Sequence, residues 1–232
     1  WATQKQSLPK ESPVAKFAAA RRDAVAKKFK GQVVVIEAGS AKVRSNDTEY
    51  MYRAHTAFSH LTGWGSATVP DSVLVIDARG KSAKSMIFFR ETAGHDSDEF
   101  FANAAIGEFW VGKRPSLQQV SALLDIQTHS LTSYKAFIKT LPKEKIRNLN
   151  KDEELAVFVS ELRFIKDAYE IAEMRKAVAA SVKGFESVAK NLKQAIGHPR
   201  GERIVETAFY AQARIDGNGL GYDTIAASGP HA

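Results

Sequence analysis

The chain has 232 residues, 44% hydrophobic and 25% charged, with 15 Gly, 7 Pro and no Cys. These proportions exclude disordered, collagen-like and disulfide-stapled chains. Its 33 basic residues outnumber 26 acidic ones, giving a formal charge of +7. The Lys and Arg are scattered, as at Arg21-Arg22 and Lys27-Lys28-Phe29-Lys30, with no recognisable platform of interleaved aromatics, so they read as solvated surface and not as a nucleic-acid face.

The segment 13–30 spaces Val14, Phe17, Ala18, Val25 and Phe29 along one face behind Pro13, which predicts an amphipathic first helix. The β-branched runs Gln32 to Ala38, Ser72 to Ala78 and Ser85 to Arg90 are too short for helices and predict central strands, with Gly80 turning between the last two. Ser116-Leu117-Gln118-Gln119 has capping-box spacing ahead of Val120, Leu123 and Leu124, so a helix follows, and another is expected from Leu131 to Leu141, stopped by Pro142. Residues 142–152 are polar and basic and read as a linker. Beyond them Asp167 with Glu170 opens a helix carrying Ile171, Met174, Val178, Val182, Phe185 and Val188 on one face, about 40 Å long at ~1.5 Å per residue. Gly197-His198-Pro199 breaks it. A second amphipathic helix from about Gly201 ends at Asp216-Gly217-Asn218-Gly219, and Tyr222 to Ser228 reads as one strand. One strand cannot cover two apolar helix faces, so this second region is expected to be incomplete.

Residue spacing offers little chemistry. His95-Asp96-Ser97-Asp98-Glu99 reads as a solvated loop with an acidic helix start, and His55 and His60, five apart, share no helical or strand face. The stretch from Asp216 to Gly221 begins like a calcium loop, but Leu220 and Ala227 stand where ligands are needed. There is no Cys nucleophile, G-x-S-x-G elbow or phosphate-binding loop. No run approaches the ~18 apolar residues of a bilayer span, and WATQKQSLPKESP lacks an apolar signal core. A cytoplasmic chain with no nucleic-acid or membrane partner is the expectation.

Four stretches carry more. Arg44-Ser45-Asn46-Asp47-Thr48-Glu49-Tyr50-Met51-Tyr52-Arg53, with Phe58 and Leu61-Thr62-Gly63-Trp64, is similar to an R-S-x-D-x-E-Y-x-[FY]-R … [FY]-x-T-G-[FW] block. Glu108-Phe109-Trp110-Val111-Gly112-Lys113-Arg114 is similar to E-x-W-x-G-x-R. Glu161-Leu162-Arg163-Phe164-Ile165-Lys166 with Glu170-Ile171 and Met174-Arg175-Lys176-Ala177 is similar to E-[LM]-R-x-x-K … E-I-x-x-[ML]-R-x-A. Gly221-Tyr222-Asp223-Thr224-Ile225-Ala226-Ala227-Ser228-Gly229 completes the series. In this order the blocks resemble the Xaa-Pro aminopeptidase (aminopeptidase P) group of the creatinase/prolidase pita-bread family, from about Arg44 to Ala232. The pattern departs at Ala54-His55-Thr56-Ala57, where the family often has Q-x-S-D.

The resemblance implies an α/β chain: a creatinase-type N-terminal α/β domain over 1–155, then over 156–232 the first helices and one strand of a pita-bread α+β metallopeptidase domain. It implies that the whole protein releases the N-terminal residue from peptides with proline in second position, using water activated by two divalent metal ions, manganese foremost. The implied ligands (two Asp, one His, two Glu) lie beyond Ala232, so no residue of this chain is expected to bind metal, and the chain alone is expected to be inactive. Tyr222 would line the metal site near a ligating carboxylate, Trp110 would reach a neighbouring subunit's pocket, and Asp47 would face the substrate's ammonium. Their plainer alternatives are a tyrosine packed on a core strand, an aromatic packed in its own domain and a loop cap. His231 is assigned no catalytic role, and Arg53, Trp64 and Arg163 read as scaffold. Implied partners are Xaa-Pro peptides and a second copy, as a dimer or tetramer. The alternatives are a catalytically silent relative that binds peptides or proteins, and a prolidase.

Overall fold

A computed structural model describes residues 7–217 and 219–232. Residues 1–6 of the opening segment and Asn218 of the calcium-like stretch lie outside the described residues. The chain divides into two compact units, through Ile165 and from Lys166 onward. The division falls later in the chain than the 155/156 boundary expected above.

In the first unit the elements run α1 (Ala15–Lys28), β1 (Val33–Glu37), β2 (Val43–Ser45), β3 (Thr48–Glu49), α2 (Thr56–Thr62), β4 (Val73–Asp77), β5 (Lys84–Phe89), α3 (Glu99–Ala102), α4 (Glu108–Val111), α5 (Leu117–Leu124), β6 (Gln127–Ser130), α6 (Leu131–Lys139), β7 (Ile146–Asn148) and α7 (Glu153–Leu162). Five strands form a mixed sheet in the order β6-β5-β4-β1-β7. β4 pairs antiparallel with both β1 and β5, while β7 and β6 add parallel edges. The register explains why β1, β4 and β5 are apolar without alternation. Val34 faces Ile76, and Leu74 faces Ile87, within a core shared with Phe58, Leu61, Trp64, Val120 and Leu155. The intervening Val35, Val75 and Met86 align on the opposite face and pack with Leu141 over α6. A sheet covered on both faces requires apolar residues at every position, which is the observed pattern.

Two readings are corrected here. Residues 142–152 are no linker: they contain β7, paired with β1 through Val33↔Ile146 and Val34↔Arg147, and Leu149 is buried in the core. The edge position leaves most of the segment polar, which is why it resembled a linker. Arg21 and Arg22 are not solvated surface. Both are buried, and their guanidinium groups donate to the His60 and Leu61 carbonyls at 2.8 and 2.9 Å, satisfying the last turn of α2. Asp152 caps α7 by accepting from the Leu155 amide at 2.9 Å.

The second unit consists of α8 (Ala168–Ala195) and α9 (Gly201–Asp216), packed against each other, and a C-terminal segment ending in a 3-10 turn at Gly229–His231. The Asp167–Glu170 capping box forms as its spacing required: Glu170 N donates to Asp167 at 3.0 Å, and Asp167 N donates back at 3.0 Å. Gly184 is the close-approach point, since a Cβ there would lie 2.7 Å from the Phe209 ring. The strand expected at 222–228 does not form; these residues are neither helix nor strand. Strand geometry needs a partner to accept and donate its backbone hydrogen bonds, and the second unit has no strand among its described residues.

Candidate functional site

The structure places the three site residues on two separate units. Asp47 and Trp110 belong to the first, and Tyr222 to the second.

Asp47 lies at the tip of the β2–β3 hairpin, where Val43 pairs with Glu49 and Ser45 with Thr48. The turn is tight enough to put Asn46 at φ 49°, a left-handed conformation that Asn tolerates because its short amide can bond locally. The Asp47 carboxylate is exposed and makes no hydrogen bond or ion pair among the described residues. The base of the hairpin is held more firmly. The Tyr52 hydroxyl lies 2.9 Å from the Gly39 carbonyl and 3.2 Å from that of Ala38, and Asp71 N donates to Gly39 O at 2.9 Å. Burial, reinforced by the nearby Asp71 charge, pushes the Tyr52 phenol up to about 12. The phenol therefore stays protonated and can donate. Val43, Tyr50 and Met51 are exposed along the same hairpin.

Trp110 sits on the short α4 and is 56% exposed. Its indole N–H donates to the Phe101 carbonyl at 2.9 Å, and its ring meets Phe109 edge-on at 5.0 Å. Phe109 in turn contacts Phe101 at 4.9 Å, so three partly exposed rings form one ridge. Arg114, just after it, donates to Ala105 O at 3.2 Å. Burial lowers the Arg114 guanidinium from its ordinary value, and the Glu49 carboxylate of β3 opposes that shift.

His55 and His60 hold separate structural places. His55 caps α2, its Nδ1 accepting from Ala57 N at 3.2 Å, and burial followed by the Arg163 charge holds it below its usual value, hence neutral. His60 is buried in the last turn of the same helix.

In the second unit Tyr222 is 82% exposed. It borders a groove of about 1240 Å³ formed with Phe185, Leu192, Phe209, Ile225 and His231. Among the described residues no three His, Asp or Glu side chains gather so as to hold a metal ion. The described residues therefore offer no set of side chains that fits a metal centre. The sequence reading missed Tyr52, whose role depends on carbonyls 13 and 14 residues away, and Glu202, which reaches Ser228 and His231 at separations of 26 and 29 residues. The only sequence signal for Glu202 was an acid in the first turn of a helix.

Comparison with known proteins completes the picture. The family described as "Aminopeptidase P, N-terminal domain" matches residues 18–149. Xaa-Pro aminopeptidase 1 of Streptomyces coelicolor is 37% identical over 238 residues, covering 95% of this chain and 47% of that protein. The chain belongs to the aminopeptidase P family. Xaa-Pro aminopeptidase 2 of the same organism is 31% identical over 247 residues, covering 100% of this chain and 52% of that protein. The chain thus spans about half the length of the curated relatives it matches. Aminopeptidase P from E. coli with the inhibitor Pro-Leu has the same fold at a TM-score of 0.69 and 18% identity, over 89% of this chain and 51% of that one. The low-pH form of the E. coli protein gives 0.65 and 17%, over 92% and 51%. The aminopeptidase P match covers the sheet from β1 to β7, along with the hairpin and the aromatic ridge.

Proposed function

We propose that the whole protein to which this chain belongs is an Xaa-Pro aminopeptidase, releasing the N-terminal residue from peptides with proline in second place. The observation that carries this reading is the 37% identity to a Streptomyces Xaa-Pro aminopeptidase across 95% of the chain. The substrate class has a physical rationale. Proline lacks an amide hydrogen and has a fixed φ, so a site that grips peptides as paired strands handles the preceding bond poorly, and positioning by a shaped pocket must replace backbone pairing.

Within this reading Asp47 faces the substrate ammonium, Trp110 enters the pocket of a neighbouring copy and Tyr222 lines the metal site. The unpaired, exposed Asp47 carboxylate and the exposed ring of Trp110 support roles outside the first unit's own packing. The reading includes two divalent ions, manganese foremost, a homo-oligomer and a cytoplasmic location. The apolar faces of α8 and α9 support further polypeptide packing on the second unit, because Met174, Val178, Val182, Phe185 and Ile215 would otherwise stay in water.

The test is cleavage of Xaa-Pro tripeptides by the purified whole protein, with its metal content measured alongside. Release of the first residue, lost on chelation and restored by Mn²⁺, is the expected result. A whole protein that binds no divalent metal and leaves Xaa-Pro peptides intact would be the silent relative, and cleavage confined to dipeptides would be prolidase activity.

A further inference from the structure

Glu202 lies in the first turn of α9, where exposed backbone N–H groups and the positive end of the helix favour a carboxylate. The carboxylate's partners among the described residues all lie outside α9. Ser228 N donates to Oε1 at 2.8 Å, and the Ser228 hydroxyl lies 3.3 Å from the same oxygen. His231 Nδ1 stands 3.1 Å from Oε1 and 3.2 Å from Oε2. One carboxylate therefore gathers a main-chain amide, a hydroxyl and an imidazole from a single turn.

That turn has modest support of its own. His231 N donates to Ser228 O, and Ala232 N to Gly229 O, both at 3.2 Å, while residues 219–227 leading into it form neither helix nor strand. The arrangement is also not a nucleophile triad. In a triad the imidazole stands between hydroxyl and carboxylate so that it can take the hydroxyl proton. Here the carboxylate stands between the other two and accepts from the serine.

We propose that Glu202 is a positioning residue for the aminopeptidase, fixing the Ser228–His231 turn and so the direction in which the backbone enters the catalytic centre. The proposal rests on the aminopeptidase reading above, in which that centre follows this turn. The Ser228 amide, and after it the His231 side chain, hold the Glu202 carboxyl below its usual range, so the acceptor is ionised near neutrality. A charged acceptor makes hydrogen bonds roughly twice as strong as a neutral one.

The experiment has two arms, using Glu202→Ala and Glu202→Gln. In the 232-residue chain, the Ser228 amide is read by NMR for shift and hydrogen exchange, with the β1 and β4 amides as the folding control. The expected result is a downfield, protected Ser228 amide that loses both properties in Glu202→Ala and regains them in part in Glu202→Gln, whose side-chain oxygen still accepts. In the whole protein, Glu202→Ala should lower kcat on an Xaa-Pro peptide on the order of 10- to 100-fold, as small misplacements of a catalytic geometry do. KM and thermal midpoint should stay close to those of the parent, and Glu202→Gln should recover part of kcat. An unchanged Ser228 amide in Glu202→Ala, or an unchanged kcat despite a released amide, overturns the proposal. A parent protein that cleaves no Xaa-Pro peptide overturns the aminopeptidase reading instead, and with it the positioning role.

Discussion

The two units use apolar residues in opposite ways. In the first, the central strands are buried on both faces, and Phe58, Trp64 and Phe89 are removed from water almost completely. In the second, α8 and α9 meet closely at Gly184 but leave Phe185 68% exposed, with Val178 and Met174 beside it on the same helix. Apolar residues therefore carry different energetic weight in the two units. Burial on the order of 25 cal/mol per Å² of apolar surface is realised in the first unit and largely unrealised on the outer face of α8.

The same substitution placed in each unit should show the largest contrast. Phe58→Ala leaves a cavity in a closed core and should cost about 3–5 kcal/mol. Phe185→Ala removes a half-solvated ring and should cost about 1 kcal/mol or less. Urea unfolding followed by tryptophan fluorescence reads the first unit, which holds Trp64 and Trp110, while residues 166–232 contain no Trp. Phe58→Ala should shift that transition and Phe185→Ala should leave it in place; equal shifts would break the contrast.

Next in size is Gly184→Leu, which forces a side chain into the Phe209 ring and should cost about 1–3 kcal/mol by overpacking. Far-UV circular dichroism should show the loss of helix, with the tryptophan transition unmoved. An unaltered melting profile would mean that the α8–α9 approach is looser than described.

How far the sequence could reach differs between the units for the same physical reason. Capping boxes at Ser116–Gln119 and Asp167–Glu170 are local devices, and both formed where the spacing put them. β1, β4 and β5 were legible as unbroken β-branched runs because both of their faces are covered. β6 and β7 were missed: Gln127-Thr128-His129-Ser130 and Ile146-Arg147-Asn148 are edge strands, polar because one side meets solvent. Residues 222–228 failed in the other direction, since Thr224 and Ile225 supply β propensity but pairing is a tertiary event. Of the candidate site, Asp47 and Trp110 could be located only through a family pattern. The ties at Tyr52 and Glu202 join residues 13–14 and 26–29 apart, a separation that no local period encodes.

Two smaller effects sharpen the account of the first unit. Tyr52→Phe removes the hairpin anchor and should cost about 1 kcal/mol at neutral pH. Because the folded phenol titrates near 12 against an ordinary 10.0, its contribution is fully present below pH 10 and fades as pH rises toward 12. The parent and the variant should therefore converge in stability across that window, and absorbance titration at high pH should lose one late tyrosine step. A parent titration without such a step would remove the anchor argument. Asp77→Asn should cost least, under about 1 kcal/mol, since its partner Arg79 is largely solvated. Hydrogen bonding from Arg79, at 2.7 and 2.9 Å, lowers the Asp77 carboxyl. That contribution is present above the ordinary carboxylate value and is lost as pH falls through the folded one, so the parent–variant gap in thermal midpoint should close in acid.

Amide hydrogen exchange across the 232-residue chain tests the contrast most directly. Val33–Glu37, Val73–Asp77 and Met86–Phe89 should exchange only through global opening of the first unit, while residues 222–227 exchange near the rate of unstructured peptide. Protection of 222–227 equal to that of the central strands would contradict the account, because it would mean that the second unit already contains a paired sheet of its own.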